Sequence, residues 1–110
     1  MRAFVHLVEG DDAAARNARI AQMVRASRRP VTIFAETADP PTSPLDWLLG
    51  PGCICCLPQS HPRLRLLAAA EARSTSCRIL IDAGPQALAD RIARAIQTLP
   101  VPLRLSRLTA

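Results

Sequence analysis

The chain contains no lysine. All fourteen of its basic residues are arginine, which excludes mechanisms built on a positioned ε-amine. Among these is the lysine that grips the β- and γ-phosphates in a nucleotide-binding loop. Tyrosine is also missing, and aromatic residues make up 3% of the chain. The arginines therefore lack the interleaved aromatic platforms of a nucleic-acid groove. Arg16, Arg19, Arg25, Arg28 and Arg29 spread along one predicted helix and its exit, and Arg63, Arg65, Arg73, Arg91 and Arg94 lie on two others. Despite a net charge of +5, they read as solvated helix faces, and no nucleic-acid partner is expected. Long apolar runs are absent too. Nothing approaches the ~20 residues of a membrane span. "AFVHLV" is too short for the apolar part of a signal peptide, and acidic residues follow it at once. No membrane partner is expected, and the expected location is the cytoplasm, where thiols stay reduced.

What is present fits one domain over residues 1–110, with 49% hydrophobic residues and a mainly aliphatic core. "AFVHLV" (3–8) reads as a strand. Residues 11–27 turn helical: Asp11 or Asp12 caps the start, and Ile20, Met23, Val24 and Ser27 follow i, i+3, i+4, i+7 spacing. "VTIFAE" (31–36) is a second strand. Four prolines and two glycines make residues 37–52 a loop, with room for one helical turn at "PLDWLL" that Trp47 anchors on the core. Residues 61–72 form a helix with Pro62 in its first turn and Leu64, Leu67, Ala68 and Glu71 on one face. "CRILIDAG" (77–84) is a third strand, buried on both sides if parallel. Pro85 opens a helix striped by Leu88, Ile92, Ala95, Ile96 and Leu99. "PVPLRLSRL" closes the chain as a strand whose prolines point to a sheet edge or a strand start. This alternation predicts an α/β three-layer sandwich with a mainly parallel sheet of about four strands. Ligands of such sheets bind beyond the carboxyl ends of the strands, where Glu9, Glu36 and Asp82 fall.

The loop that follows Glu36 carries "GCICC", which puts Cys53, Cys55 and Cys56 within four positions. Three thiolates from one loop suit zinc, which takes four ligands in a tetrahedron. A trigonal thiolate set also suits Cu(I). Cys55 and Cys56 are adjacent, so their side chains are expected to diverge. Cys53 with Cys55, or Cys53 with Cys56, converges if Gly50 and Gly52 let the loop curl. His61 is the nearest candidate for a fourth ligand, and Glu36 the next; Asp82 could reach the same sheet edge. His6, inside the first strand, reads as a packed histidine, and Cys77 as a core residue. In a reducing compartment clustered cysteines point to metal or catalysis before disulfides.

The stretch "GPGCICCLPQSHPRLRLLAAAEA…CRILIDAG" resembles the centre of the CobW-type GTPases, P-loop proteins of metal homeostasis and metal insertion. The resemblance rests on Gly52, Cys53, Cys55 and Cys56 as a GCxCC motif after the second strand. It extends to the buried strand Ile79 to Asp82 with Gly84, and to a second strand ending in Glu36. It covers the chain in element order, as the amino-terminal half of a P-loop GTPase domain. It implies that the cysteines bind the transported metal under nucleotide control. Where that family carries G-x-x-x-x-G-K-[ST], however, this chain reads "VEGDDAAARNARI", with one glycine, no lysine and no Ser/Thr. Asp11 and Asp12 stand where phosphate would lie and would repel it.

The expectation is therefore a pseudo-GTPase. It would be a non-enzymatic metal-binding protein of metallochaperone type, without bound nucleotide. Zn(II) is the first choice of ion, with Cu(I), Co(II) or Ni(II) as others. Its ligands would be Cys53, Cys55, Cys56 and His61 or Glu36. Its partners would be the ion, a metal-receiving protein, or a second copy as a homodimer. Two alternatives stand beside it. One is an interaction module, or accessory subunit of a full-length relative, with structural cysteines. The other is a thiol redox protein using the C-x-x-C spacing of Cys53 and Cys56; Cys55 within that spacing is unusual there, and no cis-proline signature is evident.

Overall fold

Apolar alternation turns into a four-stranded, all-parallel sheet in the computed structural model, which describes residues 3–72 and 78–110. The elements are β1 (Ala3–Glu9), α1 (Ala13–Ala26), β2 (Val31–Phe34), α2 (Pro62–Ala72), β3 (Arg78–Gly84), α3 (Gln86–Gln97) and β4 (Leu103–Thr109). Two 3₁₀ turns, Pro44–Leu48 and Ile54–Cys56, lie in the long connection from β2 to α2. The strand order is β2-β3-β1-β4. From β1 the chain crosses the sheet in one direction to β2, then returns through β3 to β4. Crossovers of one hand therefore put α1 on one face and α2 and α3 on the other.

Side-chain alternation sorts the two cores. Val5, Leu7, Ile79 and Ile81 pack with Leu66 of α2 and Ile92 and Ile96 of α3. Val8 and Leu80, pointing the other way, pack with Ile20, Met23 and Val24 of α1. Each fully buried aliphatic side chain contributes about 1.5–3 kcal/mol relative to exposure. The result is three layers, as the sequence pattern implies. β4 lies at a sheet edge and begins directly after Pro102, so both readings of its prolines hold. Trp47 is fully buried in the first 3₁₀ turn, its ring 5.2 Å from that of Phe34.

Three details differ from the sequence reading. β2 stops at Phe34, because the carbonyl of Ala35 accepts from the backbone N–H groups of Ala38 and Thr42 and so folds into a turn. Glu36 thus sits in that turn and not at a strand end, and the Asp39–Pro40 peptide beyond it is cis. In α2 Pro62, Arg63, Leu66 and Ala70 are buried, while Leu64 and Leu67 are half-buried and Ala68 and Glu71 exposed. α2 has alanine or leucine on every side, so composition could not single out its inner face. Finally, Arg16 and Arg63 are buried, not solvated. Each has polar partners at the carboxyl end of the sheet. Cys77 lies outside the described residues. Among those described, no helix is long and apolar enough to cross a membrane.

Candidate metal centre

The second 3₁₀ turn is made by the cysteine motif itself. The Cys56 N–H donates to the carbonyl of Cys53 at 3.2 Å, and the Leu57 N–H to that of Ile54 at 3.3 Å. This curl brings the three Sγ atoms within 4.8 Å of one another, all on exposed residues. Cys55 and Cys56 do not diverge as expected, since their sulfurs lie 3.9 Å apart. Cys53 and Cys55 are joined as a disulfide, with Cα atoms 5.5 Å apart, and Cys56 is free. The expected convergence of Cys53 with Cys55 and with Cys56 is seen, and the tight turn sets Cys53 and Cys55 side by side as a bonded pair.

The donor set fits a thiophilic metal. Two sulfurs bound at about 2.3 Å around a tetrahedral zinc stand about 3.8 Å apart. The 3.9 Å between Cys55 and Cys56 already matches that edge. With Cys53 and Cys55 reduced and parted to the same spacing, three thiolates face one centre.

His61 and Glu36 do not join this group. His61 is buried, and both its ring nitrogens are engaged. Nδ1 accepts from the Arg63 N–H at 3.1 Å, and Nε2 faces the carbonyl oxygen of Leu49 at 2.6 Å. A backbone N–H on Nδ1 leaves the proton on Nε2, so the ring is a neutral donor to Leu49 with no lone pair free. Glu36 is exposed in its turn and contributes no oxygen to the sulfur cluster. Neither residue, as placed, is a fourth ligand.

What His61 does instead is hold the loop. Arg63 assists: its guanidinium donates to the carbonyls of Leu49 at 3.2 Å, Pro51 at 3.1 Å and, more weakly, Gly52 at 3.5 Å. The backbone before Cys53 is thus tied to the start of α2. Gly50 is needed for this path. Its φ is +89°, and a Cβ there would meet Leu57 Cδ2 at 3.0 Å. Gly52 has open space around it and no such constraint. Sequence reasoning missed Arg63; its signal was position, one residue into a helix opened by Pro62, where a guanidinium can reach back to the preceding loop.

The other acidic strand ends are closed by arginine. At the crevice where the connections from β1 and β3 part, Arg16 Nε donates to Asp82 Oδ1 at 2.6 Å, with both side chains at least nine-tenths buried. Arg16 also donates to the Gly10 carbonyl at 2.6 Å. Beside them a cleft of about 590 Å³ is bordered by Glu9, Asp11, Gln86 and Arg107. Arg107 bonds Glu9 through Nε and Nη2, at 2.7 and 3.1 Å, and Asp90 through Nη1 at 2.6 Å. Those bonds, to Glu9 first and Asp90 second, push its pKa further up. Both arginines of this edge are matched to carboxylates, Arg16 to Asp82 and Arg107 to Glu9 and Asp90, and Asp82 contributes no oxygen to the sulfur cluster.

No family model, curated protein or solved structure matches the chain.

Proposed function

We propose that the chain is a non-enzymatic protein that binds a thiophilic metal ion, Zn(II) first, through Cys53, Cys55 and Cys56. The observation that carries this reading is the convergence of three exposed sulfurs on one 3₁₀ turn. Three protein ligands leave a fourth tetrahedral position for water or for a side chain of a protein that receives the ion. An exposed, three-coordinate thiolate site suits delivery better than permanent structural binding, because closed four-ligand sites are the structural ones. We read the chain as a CobW-like pseudo-GTPase with this metal function and without nucleotide. The Arg16–Asp82 pair and the acidic border of the neighbouring cleft support that part of the reading, since phosphate there would meet carboxylates. A reducing compartment such as the cytoplasm supplies the thiolates.

The test is a Co(II) titration of the reduced protein. One equivalent with intense thiolate-to-cobalt charge-transfer bands is expected, lost when Cys53, Cys55 and Cys56 are all changed to Ser. Absence of those bands in the unsubstituted protein overturns the proposal. A second reading, a thiol redox protein, is favoured by the Cys53–Cys55 disulfide. A disulfide-reductase assay with turnover that depends on these cysteines would support it.

A further inference from the structure

The same sulfurs have two incompatible uses. Joined to each other, Cys53 and Cys55 have no thiolate to offer, and of the three only Cys56 remains free. Parted, they complete a cluster in which Cys55 and Cys56 already stand at a metal-binding spacing of 3.9 Å. We infer that the centre is redox-gated: an oxidant that joins Cys53 to Cys55 expels the metal, and a dithiol that parts them restores binding. This rests on the metal-binding reading above.

The backbone supports both states. The Cα atoms of Cys53 and Cys55 are 5.5 Å apart, inside the ordinary disulfide range. Both residues belong to one hydrogen-bonded turn, and the backbone that leads into it is held by His61 and Arg63. Switching therefore asks for side-chain rotation and not for a new path of the loop. All three cysteines are exposed, so a small oxidant or a reducing thiolate reaches them directly.

The chemistry balances with hydrogen peroxide as the two-electron oxidant. Each of the two thiolates gives up one electron, and the S–S bond forms between Sγ atoms. The O–O bond of peroxide takes both electrons and, with two protons from water, leaves as two water molecules. The ion keeps its oxidation state throughout and loses two of its three protein ligands. In the reverse direction a dithiol attacks the disulfide, is itself oxidised to a disulfide, and returns both cysteines as thiols. Loss of an outer-shell partner alone costs 10–100-fold in metal affinity, so loss of two ligands should cost more than about 100-fold.

The test uses the full chain with Cys77→Ser, so that every counted thiol belongs to the turn. Reduced protein is loaded with Zn(II), cleared of free metal and treated with peroxide. A chromogenic chelator reads released zinc, and peptide mass spectrometry reads the disulfide. The expected result is one zinc released per Cys53–Cys55 disulfide formed, one thiol remaining at Cys56, and rebinding after dithiothreitol is added and removed. If the reduced protein loads no zinc, the metal-binding reading fails and the gate fails with it. If it loads one zinc but keeps it after the disulfide forms, or releases it with no Cys53–Cys55 bond, only the gate is overturned. A Cys53→Ser variant gives the complementary check. It should load zinc more weakly and release it through no Cys53-linked disulfide, and zinc release at the unsubstituted rate would also overturn the gate.

Discussion

The Nε2–H of His61 donates to the carbonyl oxygen of Leu49, twelve residues earlier, at 2.6 Å. This bond ties His61 to the loop that leads into the cysteine turn, and on the proposed reading it makes His61 a support and not a ligand. His61→Ala should weaken Zn(II) or Co(II) binding about 10–100-fold, as losses of outer-shell partners do. At saturation the thiolate-to-cobalt bands should keep their intensity and position. A change in the cobalt ligand-field spectrum of the saturated variant would show that His61 coordinates the metal after all.

Gly50 and Gly52 flank Pro51, yet they carry different burdens. Gly50→Ala forces a side chain into a positive-φ position against Leu57 and should cost about 1–3 kcal/mol in urea unfolding. Gly52→Ala meets nothing within 4 Å and should be close to neutral. Equal effects would mean that the loop does not follow this path.

Arg16 and Asp82 form the most buried ion pair among the described residues. Removing either partner leaves a charge without its counterion, so Asp82→Ala or Arg16→Ala should cost about 3–5 kcal/mol. That is a large share of the roughly 5–15 kcal/mol that holds a domain together. The double variant Arg16→Met/Asp82→Leu should recover much of the loss. Strict additivity of the two single losses would contradict a direct pair.

His6 gives the protein an acid-sensitive element. Burial first, and the nearby Arg78 charge second, hold its pKa below the ordinary value of 6.5. Unfolding frees the ring to take a proton at its ordinary pKa. Its stabilising effect is thus complete above about pH 6.5 and fades as pH falls through the lower folded value. Urea midpoints between pH 7.5 and 5 should drop less for His6→Gln than for the unsubstituted chain. Parallel curves would assign the acid sensitivity to other groups.

The layers were legible because period and burial coincide. Val5, Leu7, Ile79 and Ile81 alternate, and Ile92 and Ile96 repeat at helical spacing, so strands and α3 could be read directly. α2 offered no such contrast, and its true inner face includes Arg63, which no hydrophobic pattern would select. The end of β2 was set by a competing turn at Ala35. At the site, the cysteine cluster was legible from spacing alone. The placement of His61 was not, because proximity in sequence put it near the sulfurs while its hydrogen bonds commit it to Leu49 and Arg63. The disulfide between Cys53 and Cys55 depends on how tightly a 3₁₀ turn closes, which residue order does not fix.

X-ray absorption at the zinc edge of the reduced, zinc-loaded protein tests the central claim most directly. Three sulfur scatterers at about 2.3 Å and one oxygen or nitrogen at about 2.0–2.2 Å are expected. A shell of nitrogen and oxygen alone would contradict the assignment of Cys53, Cys55 and Cys56 as the metal centre.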